Sequence, residues 1–121
     1  MSGTTLPRAF GHAVRGIWVA LRREPNLRIE IVIGILALAL AWWLGAPLVP
    51  VFLAAGLVLT AELLNSALEA TVDLASPERQ ELARSAKDMA AGGVLMASLF
   101  ALLVGLAVLG PPLLVRLGVY K

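Results

Sequence analysis

Residues 51 to 73 read VFLAAGLVLTAELLNSALEATVD, an apolar run that acquires a polar stripe halfway along. Val51 to Ala61 has Thr60 as its only polar side chain and can dissolve in lipid. From Glu62 onward, Asn65, Ser66, Glu69 and Asp73 follow at offsets of +3, +4, +7 and +11. At ~100° per residue the five side chains fall within an arc of about 100° on one helix face. Ionisable groups at membrane depth are costly unless they face protein or water, so this face is the first candidate for a functional site.

Composition sets the frame for that helix. With 121 residues the chain makes a single domain, 1–121, with no room for a separate soluble catalytic unit. Its residues are 60% hydrophobic and 15% charged, far from a soluble average, which predicts an integral membrane protein. The formal net charge of +2 comes from clustered basic residues, and no nucleic-acid-binding motif is present, so no nucleic-acid partner is expected. Absence of cysteine rules out disulfides, thiolate nucleophiles and Cys-based metal sites.

Upstream of the striped helix, Ile31 to Ala61 runs for 31 residues without a charge, too long for one span of ~20. Gly45, Pro47 and Pro50 divide it into a first membrane helix over about 28–44 and a second over 51–74, joined by a tight turn. Trp42 and Trp43 close the first helix, where an aromatic belt is expected. Before it, residues 8–23 read as an amphipathic surface helix. Phe10, Val14, Ile17, Trp18 and Leu21 lie on its apolar side, with His12, Arg15, Arg22 and Arg23 largely elsewhere. Such a helix lies in the headgroup plane with arginines toward phosphates. Met1 to Pro7 is expected to be frayed. Pro25 disfavours helical geometry at Glu24 and predicts a break there. The first apolar run starts only near Ile31, after this Arg-rich helix, so the N-terminus does not read as a cleaved signal peptide.

Downstream, LASPERQELARSAKD is polar and reads as a short surface helix or helical loop, with Ser76-Pro77-Glu78 suited to an N-cap. A third membrane helix is predicted over 89–109, ending at Gly110-Pro111-Pro112. Eight of ten Lys and Arg residues precede the first span or lie between the second and third, and only Arg116 and Lys121 follow the third. The positive-inside rule then puts the N-terminus and the acidic half of the second helix in the cytoplasm, where nucleotides are.

Glu62 and Glu69 are two helical turns apart, about 10 Å, too far to chelate one ion directly. They suit two tasks along one groove: the deeper carboxylate can take a proton from a hydroxyl, and the shallower one can hold a hard cation. Lys87 offers a cation for phosphate and Asp88 a further oxygen ligand, while Glu24 and Glu30 enter from the first span. Oxygen donors, a lysine and a candidate base suit Mg²⁺-dependent phosphoryl transfer better than zinc hydrolysis. A duller reading has the acids pairing with Arg28, Arg84 or Lys87 to hold a bundle together. A non-enzymatic ion or proton path needs polar residues continuing to the far side, and Val51 to Ala61 offers only Thr60.

Ala61-Glu62-Leu63-Leu64-Asn65-Ser66-Ala67-Leu68-Glu69, then Asp73, then Ala86-Lys87-Asp88-Met89, closely resembles the signature of the prokaryotic diacylglycerol kinase family, which includes the undecaprenol kinases. The likeness extends through RGIWVALRREPNLRIE and covers roughly residues 8 to 110. It implies an all-α membrane protein of three transmembrane helices plus a surface helix, assembled as a homotrimer with active sites shared between subunits. It also implies ATP as co-substrate with Mg²⁺, and a lipid alcohol as acceptor in the bacterial cytoplasmic membrane. By the same resemblance Glu62 is the general base and Asn65 supports it, while Glu24 and Glu69 hold the metal. Glu78, Lys87, Asp88 and Asp73 meet the nucleotide, and Arg15, Arg28, Glu30 and Glu62 meet the lipid. Where family members commonly read Glu-Tyr-His, this chain has Glu78-Arg79-Gln80. The segments VRGIWVALRREPNLRI and MAAGGVLMAS are more similar to the undecaprenol kinase branch, although some of its members carry His in place of Glu30.

Overall fold

A computed structural model describes residues 5–78 and 80–119. It contains four helices: α1 (Leu6–Arg23), α2 (Pro25–Leu44), α3 (Leu48–Ala75) and α4 (Glu81–Arg116). The last three are long and apolar enough to cross a membrane. Arg79 and Lys121, both part of the charge asymmetry, lie outside the described residues.

Pro25 explains the first junction. It fills the first turn of α2, where its missing N–H would have no intrahelical partner anyway, and it holds Glu24 extended at φ −106°, ψ 101°. Glu24 therefore ends α1 and begins α2, its N–H donating to Ala20 O at 2.8 Å. Four residues on, Arg28 donates from Nη1 to the carbonyls of Leu21 and Arg22 at 2.9 and 3.1 Å, closing the end of α1. Arg22 and Arg23 in the last turn suit the negative end of its dipole. Phe10, Val14, Ile17 and Trp18 remain exposed along α1, as an interfacial helix requires.

The turn between α2 and α3 is closed by Gly45 at φ +68°, in the left-handed region. Ala46 N–H reaches Ala41 O at 2.9 Å and Gly45 N–H reaches Trp42 O at 3.1 Å, the Schellman pattern.

Helix limits differ from the expected ones where polar or proline residues suggested a stop. α1 takes in Leu6 and Pro7, expected to be frayed. Pro50 is accommodated in the first turn of α3, which starts at Leu48 rather than Val51. The segment from Glu81 to Asp88 is not a separate surface helix but the first two turns of α4. Glu, Leu, Ala, Arg and Lys are good helix formers, so polarity ends the membrane segment there without ending the helix. Ser76 does not cap it: its hydroxyl donates to Glu78 O at 3.1 Å in the link before Glu81. At the other end α4 continues through Pro111 and Pro112 to Arg116. The guanidinium of Arg116 lies 4.4 Å from the ring centroid of Trp43, tying the far ends of α4 and α2.

α3 is the central element, packed most extensively on α4 and then on α2, with α1 laid against the near ends of α2 and α3. Gly34 allows the close approach of α2 and α3, since a Cβ there would sit 3.4 Å from Ala55 Cβ. Few side chains are buried: Ala20, Leu27, Ala41, Val51 and Glu62. The chain exposes 9154 Å², against about 6,200 Å² expected for a soluble monomer of this mass, so its apolar exterior faces lipid or other chains.

Candidate functional site

Glu62 is the one buried charged residue among those described, 4% exposed in a chain with almost no core. The carboxyls of Glu30, Glu24 and Glu69 lie near enough to act on its charge. Each neighbour is placed by a local cause. Glu24 is fixed by the Pro25 elbow, Glu30 lies one turn before Gly34 on the α2 face that meets α3, and Glu69 is two turns along α3. Pairing of Glu30 with Glu62 was not legible in the sequence, because it depends on the register of two helices.

Two acceptors in this cluster have no partner: Glu30 Oε2 and Asn65 Oδ1 are buried without a hydrogen bond. An unpaired buried acceptor costs about 1–3 kcal/mol, and a hydroxyl, a hydrated cation or a neighbouring chain can satisfy it. No three described His, Cys, Asp or Glu side chains converge closely enough to hold a metal ion by themselves.

The stripe continues into a second feature. Asp73, Glu78, Lys87 and Asp88 line one polar groove between the end of α3, the following link and the start of α4, with a volume of about 630 Å³. Ser76, Glu81 and Arg84 also line it, so Arg84 joins the groove, a place that its expected role as a structural partner for the acids does not predict. Lys87 Nζ lies 2.5 Å from Asp73 Oδ1, the one ion pair among the described residues. This is the bundle-holding pairing anticipated for Lys87, but it lies at the groove mouth, with both side chains partly exposed.

Not every candidate converges. Arg28 spends two donors on the carbonyls that end α1. Arg15 is exposed on α1 and is not among the side chains lining the groove between α1 and α3, where Gly16, Ala20, Glu24, Ser66 and Ala67 meet.

The chain thus joins a carboxyl cluster around buried Glu62 to an ionic groove beside it, and matches to known proteins extend over the segments that carry both. A family model described as prokaryotic diacylglycerol kinase matches residues 11–109. An undecaprenol kinase of Bacillus subtilis is 34% identical over 109 residues, 88% of this chain and 89% of that protein. A diacylglycerol kinase of Escherichia coli K12 is 36% identical over 103 residues, 83% of this chain and 84% of its own. A diacylglycerol kinase of Synechocystis sp. is 40% identical over 110 residues, 88% of this chain and 63% of that protein. With three membrane-length helices and this coverage, the chain belongs to the prokaryotic diacylglycerol kinase family and is an integral membrane lipid kinase.

Proposed function

We propose that the protein transfers the γ-phosphoryl group of ATP to a membrane lipid alcohol at the cytoplasmic face of the bacterial inner membrane. The acceptor is undecaprenol or diacylglycerol, giving undecaprenyl phosphate or phosphatidic acid. The carrying observation is the buried Glu62 beside the unpartnered acceptors of Glu30 and Asn65, on a stripe that leads directly to the Asp73–Lys87 groove. A burial this costly, with acceptors left open, suits a site completed by its substrates.

In this reading Glu62 accepts the proton of the lipid hydroxyl, and Glu30 and Asn65 orient that hydroxyl. The lipid oxygen forms a bond to the γ-phosphorus as the bond from that phosphorus to the β–γ bridging oxygen breaks, releasing ADP. Lys87 meets the phosphates, with Glu78, Asp73 and Asp88 around the nucleotide. The donors suit Mg²⁺: all are hard oxygens, and the lack of a three-residue cage agrees with an ion that keeps water and phosphate oxygens as ligands. Glu24 and Glu69 would hold it, and its charge would offset the negative charge of the phosphates. Arg15 and Arg28, on the cytoplasmic side of the elbow, contribute to lipid headgroup binding. The whole chain acts as one lipid kinase domain, in a homotrimer with sites shared between subunits; the large exposed apolar surface supports that assembly.

The deciding experiment offers undecaprenol and diacylglycerol separately in mixed micelles with Mg·ATP and follows phosphate incorporation. Product from either lipid is expected. Folded protein that phosphorylates neither overturns the reading, and the ratio of the two rates identifies the preferred alcohol.

A further inference from the structure

The groove between α3 and α4 holds more acid than base. Among its described lining residues Asp73, Glu78, Glu81 and Asp88 face only Arg84 and Lys87. A phosphate entering it needs Lys87, yet that ammonium is already engaged by Asp73 at 2.5 Å. The two residues come from different helices, one from the last turns of α3 and the other from the second turn of α4, so their contact spans the groove mouth. Lys87 is 39% and Asp73 65% exposed, and pairs this open to water are weakly held.

We propose that Asp73 is a placeholder for phosphate: its carboxylate holds Lys87 across the mouth of the empty groove and is exchanged for nucleotide phosphate oxygens on binding. This rests on the reading of the groove as the nucleotide site. Lys87 is kept in position by a partner weak enough to leave. A polyphosphate, carrying several negative charges, displaces one exposed carboxylate, whereas a singly charged anion competes poorly. Once displaced, Asp73 remains beside the phosphates and opposes them, which weakens the hold on both ATP and ADP and speeds product departure. Asp73 acts through Lys87 and is a positioning residue.

The test is nucleotide binding to the full-length protein in detergent micelles, by calorimetric titration with Mg·ADP and Mg·AMP-PNP, together with steady-state kinetics. Asp73→Asn removes the competing charge and keeps the shape. We expect it to bind both nucleotides about two- to five-fold more tightly, the range released by losing an exposed ion pair. The KM for ATP falls, and kcat falls with it if ADP release limits turnover. Asp73→Glu restores wild-type affinity. Lys87→Met loses binding, and adding Asp73→Asn to it changes nothing further. Unchanged or weaker binding by folded Asp73→Asn, alongside a Lys87→Met variant that does lose binding, overturns the placeholder role alone. Wild-type binding by Lys87→Met overturns the nucleotide groove and the placeholder together. Thermal unfolding of each variant identifies the folded preparations.

Discussion

Glu62 and Gln differ by one atom in shape but only the carboxylate can take a proton, so Glu62→Gln separates packing from chemistry. General base catalysis contributes about 10²- to 10⁴-fold, and turnover is expected to drop by that factor while Mg·ADP binding stays near wild type. A variant that keeps most of its turnover removes Glu62 from the base role. Glu69 is tested through its metal: Glu69→Gln is expected to raise the Mg²⁺ concentration for half-maximal rate about tenfold or more. A Mg²⁺ curve that overlays wild type shows that Glu69 is not a ligand. The stripe carrying both residues was legible because helical periodicity alone sorts Glu62, Asn65, Glu69 and Asp73 onto one face. What that face meets was not. Glu30 near Glu62, and the choice of Asp73 among the acids as the partner of Lys87, depend on contacts between helices, and nothing local to either strand of sequence fixes their register.

At the scale of elements, register is set by close approach. Gly34 lets α2 lie against Ala55 of α3, and Glu30 is one turn away on the same face. Gly34→Ala puts a methyl at ordinary contact distance and is expected to be active. Gly34→Leu cannot fit without separating α2 from α3, which takes Glu30 away from Glu62. Activity is then expected to fall at least tenfold even in preparations that remain helical by circular dichroism, and retained activity would show that this contact does not position the site. Element boundaries were legible where backbone chemistry is decisive, at Pro25 and Gly45. They were misread where hydropathy changed but helix propensity did not. Glu81 to Asp88 leaves the apolar segment yet stays in α4, and Pro50 falls in a first turn that needs no N–H. Hydropathy reports what a helix is immersed in, and only capping and sterics report where it stops.

For the molecule as a whole, the decisive quantity is surface. With 9154 Å² exposed and α4 burying none of its side chains, most of the apolar surface of one chain is left for lipid or for neighbouring chains to cover, and the proposed trimer is tested at this scale. Light scattering with size-exclusion chromatography in a mild detergent is expected to give a protein mass of three chains of 12.7 kDa. A single-chain mass at full activity would remove the shared-site proposal. The unequal helix lengths carry a further consequence. At 1.5 Å per residue the 20 residues of α2 span about 30 Å, the thickness of a hydrocarbon core, whereas the 28 of α3 and the 36 of α4 reach about 42 and 54 Å. α2 therefore has no slack, and its first turn is fastened through Glu24 and Arg28 to α1, whose exposed apolar side suits the membrane interface. A thicker bilayer draws α1 and the start of α2 outward relative to α3, sliding Glu24 and Glu30 past Glu62, so hydrophobic mismatch becomes misalignment of the site. Reconstitution in phosphatidylcholines of increasing acyl length is expected to give a rate maximum near the 30 Å core and a decline on the thick side. A flat profile would mean that the elbow yields before the carboxyl cluster does.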